Sequence, residues 1–410
     1  MNPRTLRVLF VTDAFAPEVG GVERVCLELA RSLTRAGHSV TVLAKRVDGA
    51  PAREETGGIR VLRYAYSRAW TPWSYATTIA ASRREAAREH RAAPFDVVHG
   101  HHALSGVGPL RWFGARGVRT VSSFYGPWHR EYMTESPELA ERPWPYPAYL
   151  RALLRAQRAM QGAMLRRADA RVVLSRFSIG RAREIAPDLA EADFRVIPGG
   201  VDPEVFRPGS DAPDARRTVR RRLNLPEDAF LVLTVRRLVK RMGVAHLVRA
   251  ARFLADAGRP FHLVVAGRGP EAEPLGRLVG ELGIADRVTF IGFVPDPVLP
   301  DLYRACDLFV LPTAAEENFG LIILEAAACG CPVIGTPVGS IPEVLGDLSP
   351  AFLCDAATPE AIAEKIQWTR DNYEKVAWKF AREIADRVRR DYAWDRLAER
   401  MVAVYRGESA

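Results

Sequence analysis

Short apolar runs rich in Val, Ile and Phe recur along this chain, and longer stretches of helical periodicity fill the intervals between them. That alternation predicts parallel βαβ units. In the first half the runs fall at residues 6–12, 39–44, 59–64, 95–99, 118–124, 170–174 and 194–197. The same grammar restarts at 230–235, 261–266, 288–293, 307–311, 332–335 and 351–354. Between the two series, PGGVDPEVFRPGSDAPDARR at 198–217 is dense in Pro, Gly and Asp and reads as a linker. A chain of 410 residues exceeds one ordinary core, so two doubly wound α/β domains of about 200 residues each are expected. Ligands of such sheets bind at the carboxyl ends of the strands.

With 48% hydrophobic and 26% charged residues the chain reads as soluble and globular. Its net charge of +9 suits nucleic acid, an anionic membrane surface or phosphorylated small molecules. The arginines are spread out apart from a cluster at Arg216, Arg217, Arg220, Arg221 and Arg222. No nucleic-acid motif accompanies that cluster, so it is read as solvated surface and no nucleic-acid partner is expected. The five cysteines are odd in number and lack paired zinc spacing, which predicts reduced thiols in a cytoplasmic protein. Asp13 interrupts the first apolar run, and nowhere do eighteen apolar residues run together, so neither a signal peptide nor a spanning helix is expected. A basic stretch carrying Arg151, Arg155, Arg158, Arg166 and Arg167 reads as a surface helix, with peripheral contact at the inner membrane face as the alternative.

Several strand ends carry residue types suited to a phosphorylated ligand. Gly20 and Gly21 precede a helix expected from about residue 22 to 35, which lets backbone approach a ligand and turns helix N–H groups toward it. The spacing is not G-x-G-x-x-G, which argues against a nicotinamide cofactor. Arg236, Arg237, Lys240 and Arg241 follow the strand at 230–235, and Gly267, Arg268 and Gly269 follow the next, so positive charge stands where a diphosphate would leave. The segment TAAEENFGLIILEAAACGCPVIGTPVG at 313–339 holds Glu317 and Glu325 around a helix expected to open at Phe319 or Gly320. That helix end suits an anion, whereas the two acids would repel one, so they are aimed at neutral hydroxyls of a sugar or ribose beside it. His38 is expected to pack ahead of the second strand. His99, His101 and His102 have no neighbouring carboxylate or cysteine in sequence, which favours structural or substrate-positioning roles over metal ligation.

Taken together these residues resemble the retaining glycosyltransferases of family 4. The resemblance runs through FAPEVGGVE, DVVHGHHALSG, VVLSRFS, VIPGGVDPEVFRP, RRLVKRMG, VVAGRGPE, VTFIGFV, EENFGLIILEAAACGCPVI and the aromatic-rich tail DYAWDRLAERMVAVYRG. It implies the GT-B fold: two Rossmann-like doubly wound parallel-sheet domains facing a central cleft, with a C-terminal helix crossing back to the first. The corresponding segments are 1–205, acceptor-binding; 206–385, nucleotide-sugar-binding; and 386–410. By resemblance Glu317 contacts donor-sugar hydroxyls and Glu325 holds the ribose. The backbone from Asn318 through Phe319 and Gly320 to Leu321 caps sugar and phosphates. Arg237 with Lys240 or Arg241, and the Gly267–Arg268 turn, meet the diphosphate, while Gly20 and Gly21 approach the donor from the first domain. His101, His102 and Trp128 are placed on the acceptor side. No metal and no cofactor are implied, only a nucleotide sugar, UDP- or GDP-linked, and a hydroxyl-bearing acceptor, in a monomer or homodimer.

Two positions depart from the family pattern. Met242 stands where a Lys precedes the Gly that is here Gly243, and Tyr125 stands where the family often has His. Tyr125 is placed at the reacting sugar, with packing against Trp128 as the structural alternative. The competing functions are a GT-B epimerase or phosphorylase and a non-catalytic nucleotide-sugar-binding protein. A phosphorylase needs a pyridoxal-phosphate lysine, and lysines are scarce beside RRLVKRMG. Release of nucleoside diphosphate, with and without acceptor, separates the three.

Overall fold

The computed structural model of the chain describes residues 5–16, 20–67, 71–135, 146–209 and 214–408. They divide into two compact units, Met1–Gly199 with Trp394–Ala410, and Gly200–Ala393. The divisions fall at Gly199 and Trp394, against the 205 and 385 drawn from sequence.

In unit 1 the described residues form eight strands: β1 Arg7–Val11, β2 Ser39–Lys45, β3 Arg53–Thr56, β4 Ile59–Tyr64, β5 Val97–Gly100, β6 Arg119–Phe124, β7 Ala170–Val173 and β8 Phe194–Val196. Their order is β3-β4-β2-β1-β5-β6-β7-β8. All pairs are parallel except β3 with β4. The β3 sequence, REET, is polar and mostly exposed, so no apolar run announces it. A turn through Gly57 and Gly58, both at positive φ, folds it back onto β4 at the sheet edge. Between β1 and β5 the strand order reverses, which opens a crevice at their carboxyl ends.

The chain returns to this unit through the helix Trp394–Arg406, whose apolar face is buried. Arg35 binds Asp395 at 2.6 Å, Arg400 donates to the Val196 carbonyl, and the Tyr405 hydroxyl lies 2.8 Å from His99 Nδ1. His38 is buried and accepts from the Leu6 N–H, as its expected packing role requires.

In unit 2 the described residues form five parallel strands: β9 Leu231–Val235, β10 His262–Ala266, β11 Val288–Gly292, β12 Leu308–Leu311 and β13 Val333–Gly335. They are ordered β11-β10-β9-β12-β13, which puts the second switch point between β9 and β12. The strand expected at 351–354 is instead a single 3-10 turn, Pro350–Phe352, followed by one bridge from Leu353 to Gly335. Pro350 fixes φ for the turn and cannot donate to a ladder.

Arg217, Arg221 and Arg222 of the arginine cluster are exposed, as solvated surface should be, whereas Arg216 is half-buried and Arg220 buried. The cluster lies on the helix Ala215–Arg222, of which only the first three residues fall in the expected linker, and each of its five arginines pairs with an acid: Arg216 and Arg220 with Asp307, Arg217 with Asp228, Arg221 with Glu227, and Arg222 with Asp301. Asp307 also accepts from the Leu231 N–H and the Tyr373 hydroxyl, so this helix is stapled to the amino ends of β9 and β12. All five cysteines are free and buried. Among the described residues no helix is long and apolar enough to cross a membrane.

Candidate active site

Four loops meet at the carboxyl ends of the unit 2 strands, and glycines let them interlock. A Cβ on Gly267 would stand 1.7 Å from the Arg236 carbonyl oxygen, and one on Gly269 2.2 Å from that of Leu238. Gly243 sits as closely on the Pro312 carbonyl, and Gly339, at φ +62°, on the backbone of Glu317. Ser340 N–H then binds the Glu317 carbonyl at 2.9 Å. Only glycine allows these contacts, because main chain cannot yield as a flexible side chain can.

This frame holds the two acids in separate places. The Glu317 carboxylate accepts from the Arg236 guanidinium at 2.6 Å and from the Thr313 hydroxyl at 3.2 Å, and Arg236 also donates to Thr313. The Arg236 side chain is 4% exposed and that of Glu317 12%, so this is a nearly dry ion pair at the switch point. Glu325 lies in the second turn of the helix Leu321–Ala328, buried, with the Tyr303 hydroxyl 3.1 Å from Oε2. Burial, then the adjacent Glu325 charge, holds the Tyr303 phenol well above its ordinary pKa, so it remains a donor. Gly320 caps the helix at φ +81°, with Phe319 buried beneath it and Leu321 half-buried.

Tyr303 is a support for Glu325 that the sequence reading does not name, and Arg236, grouped there with the cations for a diphosphate, is instead turned onto Glu317. Arg237, the residue expected to meet the diphosphate, is exposed, as are Lys240 and Arg268. Arg268 lies over the Phe293 ring. Met242 is buried in the 3-10 turn Lys240–Met242, and Arg241, half-buried beside it, donates to the Glu316 carbonyl.

In unit 1 the corresponding crevice gathers Thr12, Asp13, His101 and His102 at the ends of β1 and β5. The Asp13 carboxylate takes Lys45 at 2.9 Å and the Ser105 N–H. Burial pushes its pKa up, but Lys45 and His102 outweigh it and hold the group below its usual value. The Asp13 N–H points at His102 Nδ1, which makes that nitrogen an acceptor, and the Thr12 hydroxyl lies 2.9 Å from it. His99 sits between Tyr405 and Ser123, fully buried, and burial lowers its pKa to about 3. His101 Nδ1 lies 2.7 Å from the Tyr125 hydroxyl, and the two rings are within 11° of parallel.

Tyr125 thus keeps company with His101 and not with Trp128, whose indole is 5.9 Å from Tyr75 in a cluster with Leu104 and Leu153. Gly20 caps the helix Gly21–Arg35, and both glycines are exposed. Of the aromatic segments at 68–75 and 128–149, expected to face an acceptor, residues 68–70 and 136–145 lie outside the described residues. No group of three metal-ligating side chains gathers among the described residues.

Comparison with known proteins agrees with this geometry. Residues 19–205 match the family model "Glycosyltransferase Family 4" and residues 215–386 match "Glycosyl transferases group 1". The chain is 31% identical to a D-inositol 3-phosphate glycosyltransferase of Thermomonospora curvata, covering 95% of this chain and 91% of the relative. It is 28% identical to a GDP-mannose-dependent alpha-(1-6)-phosphatidylinositol monomannoside mannosyltransferase of Mycobacterium tuberculosis, over 98% and 99% of the two chains. Among solved structures, sucrose-phosphate synthase from Thermosynechococcus elongatus superimposes with a TM-score of 0.79 at 23% identity, covering 98% of this chain and 99% of that one. Anabaena HepE, solved with UDP and glucose, gives 0.75 at 18%, covering 98% and 100%. The likeness to these structures shows the fold, and the matches in sequence show the family: this chain is a glycosyltransferase of the GT-B fold and belongs to glycosyltransferase family 4.

Proposed function

We propose that the chain moves a sugar from a nucleoside diphosphate sugar to an acceptor hydroxyl with retention of anomeric configuration and without a metal ion. The observation that carries this reading is the pair of separately anchored acids at the unit 2 switch point, flanking a glycine-capped helix end, with exposed Arg237 and Lys240 on the adjoining loop. Glu317, turned by Arg236, accepts hydrogen bonds from hydroxyls of the donor sugar. Glu325 accepts from the ribose. The backbone from Asn318 to Leu321 and the Gly267–Arg268 turn line the phosphates.

The bond from the anomeric carbon to the diphosphate breaks with its electron pair leaving on the nucleotide. Arg237, Lys240 or Arg241, and the helix N–H groups meet the charge that develops. The acceptor oxygen bonds to the same face of the oxocarbenium-like sugar, and its proton passes to the departing diphosphate oxygen. In unit 1, Gly20, Gly21, Tyr125, His102 and Trp128 serve the sugar and the acceptor, with His101 behind Tyr125.

The relatives act, by their names, on inositol 3-phosphate and on a phosphatidylinositol monomannoside, and one depends on GDP-mannose. An inositol phosphate is therefore the first acceptor to try, and UDP- and GDP-sugars the first donors. Trp73, 77% exposed at the start of the helix Pro72–Ala92, and the exposed arginines of the helix Tyr146–Arg167 support a cytoplasmic protein that touches an anionic membrane surface. The test is nucleoside diphosphate release from UDP-, GDP-, ADP- and dTDP-sugars in EDTA, with and without D-inositol 3-phosphate. Release from one donor is expected. Absence of release from every donor, or an EDTA block reversed by Mg²⁺ or Mn²⁺, would sink the reading.

A further inference from the structure

His101 follows β5 directly and is 2% exposed, and its two ring nitrogens have opposite surroundings. Nδ1 faces the Tyr125 hydroxyl at 2.7 Å, while Nε2 is buried with no hydrogen-bond partner among the described residues. The ring is packed against His99, with centroids 4.1 Å apart, and lies 4.6 Å from that of Phe10. The titratable groups around this pair are His99, His102, Cys26 and Tyr405. Burial first, then His99 and His102, holds the His101 imidazole neutral far below its ordinary pKa. Burial likewise keeps the Tyr125 phenol protonated.

A neutral imidazole has one N–H to place, and the two choices differ in cost. With the proton on Nε2, a buried N–H is stranded and Nδ1 captures the phenol proton. With the proton on Nδ1, only a lone pair is stranded, and orphaned buried acceptors are tolerated better than orphaned N–H groups. We infer that His101 carries its proton on Nδ1 and donates to the Tyr125 oxygen, so that the Tyr125 O–H is turned away from His101 and stands as a donor for a substrate hydroxyl. Cys26 neighbours Tyr125 and its sulfur is only a weak acceptor, so that proton is easily re-aimed when a better acceptor arrives. His101 is then a positioning residue: it does not touch the substrate but decides whether Tyr125 gives or receives. This inference rests on the placement of Tyr125 at the reacting sugar.

The first measurement does not depend on activity. In the full chain labelled with ¹⁵N-histidine, long-range ¹H–¹⁵N correlation spectra identify the protonated nitrogen, with the His101→Asn variant supplying the assignment. Protonated Nδ1 is expected, and protonated Nε2 overturns the proposal.

The second is a double-mutant cycle on nucleoside diphosphate release. Tyr125→Phe and His101→Leu should each lower kcat by about ten- to a hundredfold, the worth of one lost hydrogen bond in the transition state. The double variant should be no slower than Tyr125→Phe alone. His101→Asn, whose amide N–H can take the place of Nδ1–H, should recover most of the rate. Losses that multiply in the double variant, or a Tyr125→Phe enzyme as fast as wild type, overturn the positioning role. Wild type without any transfer activity would instead mark failure of the proposed function, with the tautomer still read from the spectra.

Discussion

Arg236 is predicted to be the residue on which the donor loop of unit 2 depends, and Arg236→Leu is the perturbation that shows it. The leucine keeps part of the buried volume but strands the Glu317 carboxylate, which is only 12% exposed, and leaves Thr313 without its guanidinium contact. Breaking one side of a buried ion pair costs about 3–5 kcal/mol, because the remaining charge stays buried without compensation. For a unit of this size each kcal/mol moves the melting midpoint by about 2–4 °C. The transition belonging to unit 2 should therefore fall by about 6–20 °C, read by differential scanning calorimetry. Arg236→Leu combined with Glu317→Leu removes both charges and should regain much of the loss. The neighbouring Arg237→Ala behaves in the opposite way: its exposed side chain should cost under about 0.5 kcal/mol of stability. In kcat/KM the same change should cost on the order of 3 kcal/mol, the scale of one transition-state charge contact. If Arg236→Leu melts with wild type, or if the double variant is no more stable than the single, the buried-pair argument is refuted.

Glu325→Gln should weaken nucleoside diphosphate binding by about 1–2 kcal/mol in titration calorimetry, because a charge-assisted bond becomes a neutral one. Glu317→Gln should leave that binding nearly intact and depress turnover, and equal losses in the two would contradict the division of roles. Gly339→Ala should cost more than about 1 kcal/mol, since φ is +62° and the added carbon would meet the Glu317 carbonyl. An unchanged melting curve would refute it. The His99 pKa is depressed to about 3, so below pH 6.5 the unfolded chain takes up a proton that the native one refuses, and stability falls with pH. Urea titrations near pH 7 and near pH 5 should show wild type losing about 2 kcal/mol more than His99→Gln over that interval, and parallel losses would remove His99 from the account.

Much of this was legible in the sequence because it is local. Apolar runs mark twelve of the thirteen strands among the described residues, and both switch points fall where the sequence gathers its cations, histidines and acids. What stayed hidden depends on contacts between distant residues. Arg236 and Arg237 are adjacent and chemically identical, and only Thr313 and Glu317, some eighty positions later, decide which of them is buried. Tyr303 looks like one more core aromatic until Glu325 is placed opposite its hydroxyl. The structural alternative for Tyr125, packing against Trp128, pairs residues near in sequence, whereas parallel pairing of β5 with β6 sets Tyr125 beside His101. β3 is invisible to an apolar-run criterion because its residues are polar, and 351–354 reads as a strand because a short apolar run looks the same on a 3-10 turn.

The central claim is retaining transfer from a nucleotide sugar, and proton NMR of the anomeric region during turnover tests it most directly. With the donor selected by the diphosphate-release screen, in EDTA, the first product formed should carry the anomeric configuration of that donor. A product of inverted configuration would contradict the account.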